Sequence, residues 1–352
     1  MINIMEKGRK VIMVCFGNYL RDYLEARDIS QSEFATRIGV TQKHMNEILN
    51  GKTGINIEMA GNIERLTGIS SSFIVAIENR KKLEENLLKK YESKEKISKY
   101  IKEEFCVNEL KKKRWIRFKD ETNIIQICID LLNFMKIKDF DVIPELERKT
   151  LFKKSGENFA KLTLWVAHCD KITEEQKVEE YKSSNFNDLI KEIKEYAYVT
   201  DNYNSLEIQK ILNKYGIYFC EEKALSGTKV RGCFKVRGKK PAIYTTKNYC
   251  AKDSFFYELF HELGHCKSDY NEAQKKVIFE GNEKQEKRAD QFALETMIPN
   301  KVWNLIEKDF SEKNIIDISI KYKIPISFIV GRMANLKLIS YKSKLYNQNK
   351  LK

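Results

Sequence analysis

The chain has 352 residues, 42% of them hydrophobic and 11% aromatic, enough apolar surface for two or three domains and too much for a disordered chain. It holds only 4 Pro and 15 Gly, which excludes collagen-like and Pro-rich architectures and favours helices. Lys and Arg number 64 against 50 Asp and Glu, a net charge of +14 that favours an anionic partner, nucleic acid first.

No run approaches the ~20 apolar residues that a membrane span needs, so no membrane partner is expected. Val11–Phe16 follows basic residues but is too short for a secretory signal, and reads as an extension into the first helix. Eight scattered Cys without a C-x-x-C pair fit the reduced thiols of a cytoplasmic protein.

Leu20, Tyr23 and Leu24 line one face of a first helix over 18–27. Ser30-Gln-Ser-Glu33 reads as a capping box opening a second helix, with Phe34, Ala35 and Ile38 inward. Gly39 supplies a tight turn, Val40 plugs the core, and Thr41 caps a third helix with Met45 and Ile48 inward. That layout is a helix-turn-helix. The outward positions Thr41, Gln42, Lys43, His44, Asn46 and Glu47 form its reading face. Gln and Asn bond adenine edges, and Lys reaches guanine or phosphate. Gln31 is placed to touch the DNA backbone, and His44 is a surface or phosphate contact. Asn50–Thr53 ends the third helix in a left-handed cap, and Ile57, Ala60, Ile63 and Leu66 form a fourth that closes the core.

Residues 15–80 resemble the Xre-type helix-turn-helix of addiction-module antidotes, the HigA-like antitoxins. Ser30–Ala35, Ile48–Lys52 and Gly68–Phe73 carry the likeness. The resemblance implies a repressor of its own operon, with a double-stranded DNA operator and a toxin as partners.

Residues 81–120 hold 14 basic and 8 acidic side chains. Leu83, Leu87 and Tyr91, then Ile97, Ile101 and Phe105, predict a charged helix pair. Lys111–Arg114 reads as a solvated helix end with Trp115 in the core. Apolar helices are predicted over Ile124–Met135 and Phe159–Ala167. His168 and Cys169 are adjacent, and a helix cannot easily turn both onto one ion. Helices follow at Asn185–Ala197 and Ser205–Tyr215. Gly216–Cys220, Lys229–Val236 and Ala242–Thr246 read as a small, mainly antiparallel sheet.

His261-Glu-Leu-Gly-His265 is H-E-x-x-H. The i, i+4 spacing puts both imidazoles on one helix face, where they can hold one Zn²⁺, with Glu262 beside them as general base. Asp253 is a plausible cap of that helix. On the next predicted helix, Glu283–Met297, Glu286 can complete a His₂Glu set, a gluzincin-like arrangement. Asp290, one turn on, can accept the second N–H of a ligating His. Glu258, Glu280 and Glu283 are nearby acids outside the set. Cys266 turns away from the ligand face.

Residues 195–335 resemble the ImmA/IrrE metallopeptidases. Phe255–His265, Glu286–Ala293, Met297–Pro299 and the strand Lys240–Thr246 carry this likeness. It implies His261, His265 and Glu286 as zinc ligands, Glu262 as base, and a partner regulatory protein as substrate. An extended substrate could add along the Ala242–Thr246 edge. Tyr244, Tyr249 and Tyr257 are conceivable oxyanion donors, and Arg332 could face the cleft.

The expected fold is thus mainly α with a small sheet (α+β), in four parts. These are the helix-turn-helix (1–80), a helical middle region (81–190), a metallopeptidase domain (191–335) and a basic, frayed tail (336–352). The expected function is a DNA-binding regulator, antitoxin-like, carrying a zinc endopeptidase and acting as a homodimer. The alternative is a non-catalytic antitoxin or repressor whose metal site is structural or sensory.

Overall fold

A computed structural model describes residues 16–91, 93–148, 158–247, 251–275, 277–278 and 281–349. The extension before Phe16, Tyr249 and Glu280 lie outside them. The chain is mostly helical with one three-stranded sheet. Its contacts form two units. The first runs through Lys102 and adds Phe118–Ile129; the second takes Glu103–Arg117 and everything from Asp130.

In the first unit α1 (Phe16–Glu25), α2 (Gln31–Ile38), α3 (Gln42–Leu49) and α4 (Ile57–Thr67) precede the long α5 (Ser71–Tyr91) and α6 (Lys94–Glu104). Local chemistry sets the boundaries. Ser30 and Thr41 accept the backbone N–H of Glu33 and His44, as capping requires. The reciprocal arm of the expected capping box is missing, because the Glu33 carboxylate pairs with Arg37 instead. Gly39 ends α2 in the left-handed conformation, and Gly51 takes it after α3. Phe34, Ala35, Ile38, Met45 and Ile48 are buried as expected. The fourth helix departs from expectation: Ala60 and Ile63 are buried, but Ile57 and Leu66 face out, 78% and 41% exposed. Positions 57 and 66 fall outside the narrow inward stripe of an 11-residue helix. Leu83 is likewise exposed, whereas Leu87, Ile97 and Ile101 are buried.

Gly17 permits the close crossing of α1 and α3. A Cβ there would lie 2.3 Å from the Ile48 carbonyl oxygen. Gly17→Ala should therefore destabilise the first unit by about 1–3 kcal/mol, the usual penalty of overpacking. Chemical denaturation checks it; an unchanged midpoint would mean that α1 shifts freely.

The second unit opens with α7 (Val107–Lys112); α8 (Ile124–Met135) crosses the division. Then come α9 (Ile143–Arg148), α10 (Phe159–Thr173), α11 (Phe186–Val199) and α12 (Ser205–Lys214). Trp115 is buried, as expected, and His168 stacks on it with ring centroids 4.0 Å apart. Burial, then the charges of Lys171 and Lys113, push the His168 imidazole down to about 4. Its role is packing.

The sheet comprises β1 (Tyr218–Glu221), β2 (Gly232–Arg237) and β3 (Lys240–Thr245) in the order β1-β3-β2. β2 and β3 form an antiparallel pair, but β1 runs parallel to β3. The mainly antiparallel expectation therefore holds for one pair of the two. β3 is the central strand, so no substrate can add along it. The outer edges are partly covered: Gln176 bonds both backbone groups of Phe219, and Ile278 bridges Phe234. One face carries Phe219, Phe234 and Ile243 into the main core. On the other, Tyr244 and Lys235 bond Asp170 of α10.

Next come α13 (Lys252–Ser268), α14 (Tyr270–Ala273), α15 (Glu283–Met297), α16 (Asn300–Ile306), α17 (Glu312–Tyr322), α18 (Ile326–Asn335) and α19 (Lys344–Asn349). The N-cap of α13 is Ala251, without a side-chain cap, so Asp253 lies inside the first turn. The tail is not frayed throughout: α19 packs back, and Tyr346 is buried against Val330 and Ala334. Among the described residues, no helix is long and apolar enough to cross a membrane. Six described cysteines are free thiols: Cys106, Cys128, Cys169, Cys220, Cys233 and Cys266.

Candidate metal centre and DNA-reading face

α13 is buried on nearly every side. Phe255, Phe256, Leu259, Phe260 and Leu263 sit in the core, which fixes the helix and hence His261 and His265. α15 crosses beside it. Gly264 allows the approach, since a Cβ there would lie 3.0 Å from Ala289 Cα. A genuine capping box, Asn282 with Gln285, starts α15 and sets its rotation. The two helices thereby bring Glu286 and Asp290 to the imidazoles.

His261, His265 and Glu286 converge. The two Nε2 atoms are 3.1 Å apart. Glu286 Oε1 is 3.2 Å from His265 Nε2, and its Oε2 is 3.4 Å from His261 Nε2. Zinc bonds of about 2.0–2.1 Å in a tetrahedral set place ligand atoms about 3.3–3.4 Å apart. The three donors therefore fit the ion in both chemistry and spacing. Each imidazole is held at its other nitrogen. Asp290 Oδ1 lies 2.9 Å from His261 Nδ1, and Asp269 Oδ2 lies 2.8 Å from His265 Nδ1. Both carboxylates accept an N–H and so turn Nε2 toward the centre.

The neighbouring carboxylates raise the proton affinity of both imidazoles. Burial works against protonated imidazoles, but hydrogen bonds to Asp290 and Glu286 raise His261 to about 11. His265 likewise rises to about 9 against burial, through Asp269 and Glu286. Burial opposes ionisation of Glu286 as well, yet the same two imidazoles hold its carboxyl down at about 2.

Glu262 is 2% exposed, and its Oε2 has no hydrogen-bond partner among the described residues. Burial pushes its carboxyl up to about 8, moderated by His265 and His261. Gly232 at the start of β2 makes room for it; a Cβ there would lie 2.5 Å from Glu262 Oε1. Glu258 is also close, 3.0 Å from that same Cβ position, and is not part of the convergent set. Cys266 faces away, 3.7 Å from the Tyr181 hydroxyl.

Two of the three tyrosines named as oxyanion donors are engaged elsewhere. Tyr257 donates to Asp290 at 2.6 Å, and Tyr244 donates to Asp170 at 2.7 Å from the far face of the sheet. Asp269 and Gly232 were missed in the sequence. Asp269 was findable: it follows His265 by four residues, one helical turn on. Gly232 carries no such local signal.

On α3 the candidate DNA-contact residues lie mostly at the surface. Gln42, Lys43 and Asn46 are exposed, as is Gln31 at the start of α2. Thr41 is the N-cap rather than a member of the helix face. His44 is half-buried, 3.9 Å from the Glu47 carboxylate. Asn46 accepts from Asn50 at 2.8 Å, and Asn50 accepts from Arg21 at 2.9 Å. This chain of bonds braces the C-terminal end of the face against α1.

The Helix-turn-helix family model matches residues 20–83, which span most of α1 through the middle of α5. The match supports a DNA-binding transcriptional regulator that binds double-stranded DNA. No curated protein and no solved structure matches the chain.

Proposed function

We propose that this DNA-binding regulator carries a gluzincin-like, ImmA/IrrE-type zinc endopeptidase in its second unit, and that it cleaves a partner regulatory protein. The observation that carries the reading is the His261–His265–Glu286 convergence beside the buried Glu262, whose Oε2 has no partner among the described residues. A purely structural zinc site normally fills four positions with protein ligands and has no use for such a carboxylate.

Bound Zn²⁺ would supply Lewis acidity toward a scissile carbonyl and toward water. The chain's residues do the rest. His261, His265 and Glu286 hold the ion, and Asp290 and Asp269 fix the imidazole tautomers. Glu262 takes a proton from the attacking water at Oε2 and passes it to the leaving amine. The apolar bulk of α13 keeps bulk water from this carboxylate.

The helix-turn-helix would bring the peptidase to its regulator at an operator, with antitoxin-like repression as the outcome. A homodimer reading two half-sites in the cytoplasm fits that role. The division into 1–80, 81–190, 191–335 and 336–352 stays part of this proposal.

The test of the peptidase is zinc-loaded full-length chain incubated with host proteins, followed by mass spectrometry of new protein termini. No termini beyond those in the chelated control would sink the reading. For the DNA face, Lys43→Ala should weaken binding evenly across sequences and lower the salt slope by about 0.9 for each lost phosphate contact. Asn46→Ala should instead relax preference at particular bases, at about 1–3 kcal/mol each. Selection from random duplexes at two salt concentrations separates the outcomes; equal loss at every base for both variants would contradict the assignment.

A further inference from the structure

A cavity of about 620 Å³ opens beside Tyr257 and Glu258, one turn before His261 on α13. Phe255, Leu294, Met297, Ile298 and Phe328 give it apolar walls. Arg332 of α18 lines it too. Its guanidinium stacks over the Trp303 ring at 4.2 Å, and Nη1 donates to the Ile298 carbonyl at 3.3 Å. Those contacts hold the group in place and, among the described residues, use one of its five N–H donors. Glu307 and Glu295 feel its charge, yet each serves another donor. Glu307 accepts from Trp303 Nε1 at 2.6 Å, and Glu295 accepts from the Asn300 backbone at 3.0 Å.

An arginine clamped on an indole and set in an apolar wall is prepared for a carboxylate. The fork of donors matches two oxygens, and the apolar walls strengthen the pairing. Asp253 and Glu258 also line the cavity and balance Arg231 and Arg332, so it is no general anion trap. We propose that Arg332 is a specificity-determining residue that binds a carboxylate of the peptide substrate in this cavity. The proposal rests on the peptidase reading for its substrate class. The carboxylate comes from an acidic side chain or from the C terminus of the peptide.

The experiment uses zinc-loaded full-length chain and short randomised peptides made in two forms, with free and with amidated C termini. Captured peptides should carry an Asp or Glu over Asn or Gln at one position by about tenfold or more. Alternatively, capture should require the free C terminus by the same factor. Survival on amidation identifies the side chain, and loss on amidation identifies the C terminus. Arg332→Met keeps an apolar stem on Trp303 and should erase the preference with zinc content unchanged. If that variant fails to fold, the wild-type chain decides: free acetylglutamate should displace a captured peptide, and acetylglutamine amide, which carries no carboxylate, should not. No carboxylate preference in the wild-type chain, or a preference intact in Arg332→Met, overturns the proposal. Cleavage is scored separately. Carboxylate-dependent capture without cleavage sinks the peptidase reading alone, and cleavage without the preference sinks this one alone.

Discussion

Replacing Glu262 by glutamine should leave about one zinc per chain and remove peptide cleavage by a factor of about 10²–10⁴, the usual contribution of a positioned general base. The two carboxylates of the centre have separable tasks. Glu286 reaches both imidazoles, whereas the Glu262 Oε2 atom meets no donor among the described residues. A glutamine fits the same space beside Gly232 but cannot take a proton. DNA affinity should not change, because the reading face belongs to the first unit. Zinc content, cleavage of the partner and operator binding are each measured on the same preparation. Cleavage that persists in Glu262→Gln would remove the base from the mechanism. Zinc bound by a wild-type chain that cuts nothing would favour the structural or sensory role instead.

What the sequence made legible was local. The caps at Ser30 and Thr41, and the limits of α8 and α15, follow from nearest-neighbour chemistry and apolar spacing. The convergence of His261 and His265 was legible because helical periodicity decides which face they share. Long-range arrangement was not legible. The central place of β3 depends on β1 crossing to its far side, and strand order leaves no mark within a strand. The room that Gly232 makes for Glu262 depends on a sheet meeting a helix some thirty positions later. Ile57 and Leu66 carried a helical pattern onto the wrong face because an apolar side chain does not state what covers it.

Glu286→Gln should lose most of the bound zinc, and with it the stabilisation that zinc confers. A ligand that binds only the folded chain stabilises it by about 2.7 kcal/mol at a hundredfold excess over its dissociation constant. For a unit of this size that corresponds to a rise of roughly 5–10 °C in unfolding temperature. The diagnostic quantity is the difference between zinc-loaded and chelated protein, not either temperature alone. The carboxylate lies within reach of both imidazoles, so glutamine should also lower the chelated value. The zinc-dependent rise should vanish in Glu286→Gln and shrink in Asp290→Asn and Asp269→Asn. Those two outer carboxylates act through imidazole orientation, worth about 10–100-fold in metal affinity. Scanning calorimetry with metal analysis checks all three variants. A full zinc-dependent rise in Glu286→Gln would mean that the third ligand lies elsewhere. Glu258, the other acid within reach of Glu262, would then be the residue to replace next.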